Sequence, residues 1–321
     1  MSQVASSSIG TLKTTLTTRL RSRIAKDFKR NKLLYLMALP VIIYYVIFYY
    51  LPMYGAIIAF QNYSPMKGIW GSEWVGLEHF RSFVSGFYFW RLLRNTTLLS
   101  IYSLLFEFTT PIILALLINE VRNRYVKSVV QTISYMPYFI SLIVVCGIVK
   151  DFTQSGGFIN LAYTYLTGTD GQDMLQKPGL FRGIYVLSEI WQRIGWESIL
   201  YMAALTTIDT GQYEAARIDG ASRLRQMWHI TLPGLVPMIT IMFVLRMGYM
   251  LDIGYEKILL LYNPVTYETA DVISTFVYRK GLLDTDWSFS SAIGLFNSII
   301  NLTLLVAANY CSRRLSRNSL W

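Results

Sequence analysis

The side chains best placed to do chemistry stand in a line: Glu189, Arg193 and Glu197 recur every fourth residue, with Gln192 and Trp196 beside them. On an α-helix these five share one face, and the surrounding segment, Phe181 to Ile208, is otherwise apolar. An ionised group near the middle of a membrane helix costs on the order of 3 kcal/mol on insertion scales, so each one needs a partner, water or a purpose. Hydrogen-bonding side chains edged by an aromatic ring suit a solute with many hydroxyls and a few apolar ring faces, as a sugar has. The same charges could instead neutralise one another within the helix and fasten it to a neighbour. Both readings stand on these residues alone. Arg246 is a second buried-charge candidate in a later apolar segment, and Asp252 reads as a charge at that segment's outer end. His79 and His229 fall in different compartments, with no carboxylate, cysteine or second histidine at ligand spacing, so neither a metal site nor a catalytic constellation is expected.

The elements that carry these residues follow from composition. Of 321 residues, 53% are hydrophobic and 15% charged, with a mean hydropathy of +0.38. That is more apolar surface than one water-soluble core can hide, so an all-α membrane protein is expected. Roughly 20 residues span a bilayer, and six segments qualify: Leu33 to Phe60, Asn95 to Ile118, Val129 to Val149, Phe181 to Ile208, Leu235 to Leu251 and Ser288 to Tyr310. Pro40 and Pro52 interrupt the first and Pro137 the third. The first is too long for a signal peptide and has no cleavage site after it, so it reads as a retained anchor. The net charge of +10 is gathered at span ends rather than on one soluble face, which argues against nucleic-acid binding. Lysines and arginines collect before Leu33, in Asn119 to Ser128, in Asp209 to Gly234 and after Tyr310, which places both termini and these loops in the cytoplasm. Gln61 to Arg94, Lys150 to Leu180 and Asp252 to Trp287 then face outward, with Tyr63, Trp70, Trp74 and Trp90 at the outer interface. The domain reading is a basic cytoplasmic tail over 1–32, a membrane domain over 33–310 and a cytoplasmic tail over 311–321. Cys146 and Cys311 lie in apolar runs and define no framework.

The cytoplasmic loop 209–234 is the most informative stretch. It reads YEAARIDGASRLRQMWHITLPGL from Tyr213 to Leu235: good helix formers to Asp219, a break at Gly220, helix again from Ala221 to Ile230, and a restart at Pro233. Ala215, Ala216, Ile218, Ala221 and Leu224 give this pair of short helices a small, mildly apolar surface, and Glu214, Arg217, Asp219, Arg223 and Arg225 give it charge, which suits docking against another protein. The pattern Glu214, Ala215, Ala216, Asp219, Gly220, Ala221 with Pro233 beyond it resembles the EAA loop of ABC importer permeases. Further stretches similar to complex-sugar permeases are LPMYGAIIAFQNYSP from Leu51, WVGLEHF from Trp74 and YNPVTYETADVISTFVYRKGL from Tyr262.

That resemblance implies a type I importer fold in the inner membrane of a bacterium. It implies a coupling role for Glu214, Ala215, Ala216, Arg217, Asp219, Gly220, Ala221 and Arg223, with Glu214 contacting the ATPase and Gly220 making the turn. It implies an oligosaccharide or polysaccharide as the solute, with the alginate-type acidic importers among the similar permeases, and the pathway expected from the charged stripe runs along Glu189, Gln192, Arg193, Trp196, Glu197 and Arg246. The implied partners are a second, homologous permease, two ATPase subunits and an extracytoplasmic solute-binding protein. The sequence has no phosphate-binding GxxxxGK[ST] loop, so no cofactor is expected in this chain, and ATP and magnesium belong to the partner ATPase. A secondary transporter of a polar solute is the rival reading, which would need no EAA loop.

Overall fold

A computed structural model describes Asp27, residues 30–168 and residues 171–315. Most of the expected amino-terminal tail over 1–32, with its Lys13, Arg19, Arg21, Arg23, Lys26 and Lys29, lies outside the described residues, as does Arg317. The chain divides into two units, 1–57 and 58–321. In the first, α1 (Lys32–Tyr45) runs through Pro40 and continues as a π-helical turn, Val46–Tyr50.

The second unit opens on a two-stranded antiparallel ribbon, β1 (Gln61–Asn62) with β2 (Glu73–Trp74). Then come α2 (Glu78–Val84), α3 (Phe89–Tyr102), α4 (Thr109–Glu120), α5 (Arg124–Tyr135), α6 (Leu142–Thr153) and α7 (Phe158–Thr167). They are followed by α8 (Pro178–Leu205), α9 (Thr210–Ile218), α10 (Arg223–Gln226) and α11 (Leu232–Met247). The short helices α12 (Tyr255–Leu261), α13 (Tyr267–Ala270) and α14 (Ile273–Tyr278) precede α15 (Trp287–Leu315).

Among the described residues, five helical stretches are long and apolar enough to cross a membrane: Lys32–Phe60, Phe89–Glu120, Leu142–Thr167, Arg223–Met247 and Trp287–Arg314. The fourth expected span is the 28-residue α8, which has the length but carries Arg182, Glu189, Arg193 and Glu197. It is the centre of the bundle. Phe181, Tyr185 and Val186 near its start pack with Leu99 of α3, Cys146 of α6 and Ile258 of α12. Tyr201 and Leu205 near its end pack with Ile112 and Ala115 of α4 and Leu235 of α11. A Cβ at Gly195 would overlap the Ser134 carbonyl of α5, so only glycine lets these two helices approach so closely.

Two expectations are corrected. The third span does not run from Val129 to Val149. The 3₁₀ turn Met136–Phe139, opened by Pro137, and extended backbone at Ile140 and Ser141 divide that run, and the apolar helix begins at Leu142. Nor does Pro233 restart the chain after a second short helix, because helix persists from Arg223 to Met247. The π-helical turn Met227–Thr231 contains His229, whose carbonyl lies four residues before the proline ring that would otherwise strike it. The same device recurs: the π turn Val46–Tyr50 contains Phe48, four before Pro52, and the π turn Ser103–Glu107 ends at Glu107, four before Pro111. The segment Asp252 to Trp287, expected only to face outward, is itself packed. Its short helices put Ile258, Leu261, Ala270, Val272, Ile273 and Phe276 into two of the hydrophobic clusters.

Candidate translocation cavity and coupling hairpin

Glu189 sits on α8 with its side chain almost wholly buried, and it holds two cations. Arg193, one turn on, reaches one carboxylate oxygen at 2.9 Å, and Lys257 of α12 reaches the other at 3.0 Å. Lys257 is the more enclosed, only 2% exposed, and lies 5.5 Å from the centre of the Tyr185 ring. Removing two charges from water is costly unless each meets an opposite charge, and this trio meets that condition with Arg193 half exposed at its rim. Across the gap, Arg246 at the end of α11 pairs with Glu107 at 2.7 Å, and the Ser103 hydroxyl donates to the other Glu107 oxygen at 2.7 Å. Glu107 is the last residue of the π turn Ser103–Glu107, and its side chain is 11% exposed. The Ser100 hydroxyl donates to the Met250 carbonyl at 2.6 Å, tying α3 to the chain just beyond α11.

These groups line a cavity of about 380 Å³ whose walls include Tyr185, Tyr249 and Asp252. Three of the expected pathway residues, Glu189, Arg193 and Arg246, therefore face one space. The others do not line it. Gln192 is buried. Trp196 stacks on Tyr138, centroids 4.5 Å apart and rings 2° from parallel, with Phe139 edge-on to it. Glu197 forms no ion pair among the described residues, so within the helix only Glu189 and Arg193 pair. Lys257 of α12 adds a second cation to Glu189, and Arg246 of α11 is answered by Glu107 of the π turn.

The loop beneath is locally built. The Asp209 side chain accepts the Gly211 N–H at 2.9 Å and caps α9. At the other end Gly220 takes φ +75°. The Ala221 N–H donates to the Ala216 carbonyl at 2.8 Å and the Gly220 N–H to the Arg217 carbonyl at 3.1 Å, the two bonds of a Schellman termination. No atom lies within 4 Å of where a Cβ on Gly220 would sit, so the left-handed backbone, not space, requires glycine. Ser222 then caps α10. Glu214, Ala215, Arg217, Asp219 and Arg223 are exposed, and Ala216 and Ala221 half-buried. Arg217, Ala221 and Arg223 line an open cleft of about 790 Å³ with Tyr213 and Glu120, across which Arg223 and Glu120 approach to 3.6 Å. Glu214 stands outside that cleft and makes no ion pair among the described residues.

The sequence profile described as "Binding-protein-dependent transport system inner membrane component" matches residues 107–317. The chain belongs to that family. It is a multi-pass permease subunit of the ABC importer type. Protein LplB of Bacillus subtilis (strain 168) is 44% identical over 91% of this chain and 92% of its own length. The polygalacturonan/rhamnogalacturonan transport system permease protein YteP of the same organism is 41% identical, over 94% of both. A chain of the bacterial alginate ABC transporter, solved in complex with an alginate pentasaccharide-bound periplasmic protein, superposes with a TM-score of 0.84. It is 42% identical, covering 92% of this permease and 99% of that chain.

The permease also contains an ionic knot that motif reading passed over. Asp271 is fully buried and accepts two hydrogen bonds from Arg279, at 2.8 and 2.7 Å, one from Thr275 at 2.8 Å and a longer one from Arg91 at 3.4 Å. Asn95 of α3 donates to the carbonyls of Glu268 and Asp271, at 2.9 and 3.0 Å, and accepts from Arg182 of α8 at 2.9 Å. Burial disfavours the Arg279 charge, yet hydrogen bonding and attraction to Asp271 outweigh it and hold its pKa above the usual value. Asp271 and Arg279 lie inside the stretch YNPVTYETADVISTFVYRKGL, so their eight-residue spacing was visible. Lys257, written into an apolar run as YEKILLL, was the other available signal.

Proposed function

We propose that this permease forms half of the pathway by which an oligosaccharide, acidic in at least some of its units, enters a bacterial cell across the inner membrane. A second, homologous permease completes the path, two ATPase subunits dock on the hairpin around Gly220, and a solute-binding protein delivers the sugar to the outer face. Both termini are cytoplasmic, and ATP with magnesium is bound by the ATPase partner. The reading is supported by the polysaccharide importers among its relatives and by a polar cavity in which two arginines, each paired with a glutamate, could exchange that partner for a sugar carboxylate.

The observation that carries the mechanism is a continuous helix. From Arg223 in the hairpin to Met247 the chain is helical, about 37 Å at 1.5 Å per residue, and Arg246 stands at its far end. A shift of the hairpin is thus transmitted to the Arg246–Glu107 pair as movement of one element. α8 reaches the same hairpin at its carboxy end and carries Glu189 and Arg193. Closure of the ATPase dimer would move both helices and reshape the cavity between them, which is alternating access by rigid elements.

The test is reconstitution of the assembled importer in liposomes, with uptake of labelled uronate oligosaccharide and ATP hydrolysis measured together. Glu214→Ala lowers the sugar moved per ATP while the complex stays assembled. Arg246→Met lowers uptake of the acidic sugar more than that of a neutral one of equal length. Wild-type uptake in both variants would overturn the reading.

A further inference from the structure

Beside the charged cavity lies a second cleft, of about 550 Å³, between α14, α15 and the start of α12. Asp252 lines both spaces. The chemistry of the two differs. Arg193 and Arg246 face the first, paired with Glu189 and Glu107, whereas no lysine, arginine or glutamate lines the second. Its walls offer the stacked rings of Tyr255 and Tyr278, centroids 5.6 Å apart, the Ser291 hydroxyl and the Asn297 amide. The Asp252 side chain is exposed and makes no ion pair among the described residues. The Asn297 Oδ1 is buried without a hydrogen-bond partner, an arrangement that folded proteins rarely leave unanswered. Turning that amide into the cleft would let a bound hydroxyl satisfy it.

Gly294 supplies an independent observation. It lies within α15 on the wall of the cleft, its φ is not left-handed, and nothing lies within 4 Å of where its Cβ would be. Glycine inside a helix costs about 1 kcal/mol relative to alanine, and here neither backbone conformation nor packing within the chain calls for it. The open space beside it leaves room for a larger side chain to reach into the cleft. Aromatic faces, hydroxyl and amide groups and one free carboxylate, with no cation, suit an uncharged polyhydroxyl unit and repel a uronate.

We propose that this cleft is a second sugar subsite, which holds a neutral unit of the transported chain while an adjoining acidic unit occupies the Arg193 and Arg246 cavity. The inference rests on the reading of that cavity as the pathway. Substrate preference in this permease is then set by two adjoining chambers, one lined by ion pairs that can exchange with a uronate and one by rings and neutral polar groups, with Asp252 at their boundary.

The experiment uses the reconstituted importer with two probes, a diuronate and a tetrasaccharide in which uronate and neutral units alternate. Gly294→Leu fills the cleft from a position with free space. It is expected to lower uptake of the mixed tetrasaccharide about 10-fold or more and that of the diuronate by less than about 2-fold, a difference equal to one lost subsite. Gly294→Ala, which adds one methyl, stays close to wild type with both. Asn297→Val, which removes the amide at similar volume, must show the same split between the two sugars. Equal effects on both probes, or none, overturn the subsite. So does a folded Gly294→Leu chain that no longer assembles with its partner permease, because the cleft is then a subunit contact. Arg246→Met separates the two readings: if it leaves uptake of both sugars unchanged, the pathway reading fails and the subsite with it. If Arg246→Met changes uptake and the Gly294 and Asn297 variants do not, the subsite alone fails.

Discussion

The coupling hairpin and the charged cavity lie at opposite ends of one helix and are built in opposite ways. In the hairpin the stabilising bonds are local: the Asp209 cap reaches Gly211, and the Schellman pair closes within Ala216 to Ala221. In the cavity the partners are remote. Arg246 and Glu107 are 139 residues apart in sequence, and Lys257 reaches Glu189 from beyond the following span. A locally closed unit can shift as a body against a docking partner without losing its own shape. A cavity closed by charges from separate helices records how those helices are placed, so it changes whenever they move.

Substitutions at five positions probe that contrast, beginning with the greatest expected loss. Lys257→Met leaves the Glu189 carboxylate buried with Arg193 alone and should destabilise the protein by about 3–5 kcal/mol. Pairing it with Glu189→Gln should recover most of that, and thermal unfolding of the detergent-solubilised complex reads both. Arg246→Met strands Glu107 beside a partly open cavity, where water answers part of its charge, and about 2 kcal/mol is expected. If either variant unfolded no earlier than wild type, the cavity would not be held by its charges. Gly220→Ala forces alanine into a left-handed conformation at a cost of about 1–2 kcal/mol. Gly220→Asn should cost less, because asparagine tolerates that region. Coupling, measured as sugar moved per ATP hydrolysed, should fall in the same order, and equal coupling in the two variants would show that the turn does not matter to transmission. Glu214→Gln should leave the unfolding temperature unchanged, since the side chain is exposed and unpaired, yet lower the sugar moved per ATP. A loss of stability there would mean that the hairpin depends on more than its own bonds.

The same contrast explains what could be read in advance. The break at Gly220 was legible because a Schellman turn needs only neighbours in sequence and a residue able to take positive φ. The Glu189–Arg193 pair was legible because four-residue spacing puts both on one helix face. Glu197, at the same spacing, forms no ion pair among the described residues, and spacing could not say so. Trp196 stacks on Tyr138, a partner that spacing could not name because it belongs to the segment whose boundaries were misplaced. The third span was misread because a hydropathy window sums apolar residues and ignores backbone direction, so it passed over the extended link at Ile140 and Ser141. The packed outer segment was missed because α12, α13 and α14 are each too short to show a periodicity.

Sequence alone determined the membrane class, the helical content and the hairpin, for these rest on composition and on interactions between near neighbours. Only the tertiary structure decided which charges meet. Opposite charges attract over a few ångströms, and nothing in the order of residues records that Lys257 and Arg193 share Glu189, that Glu107 answers Arg246, or that Asp271 gathers two arginines into one buried knot. Those pairings exist because packing first brings the helices together, and burial then makes each charge depend on the partner it finds there.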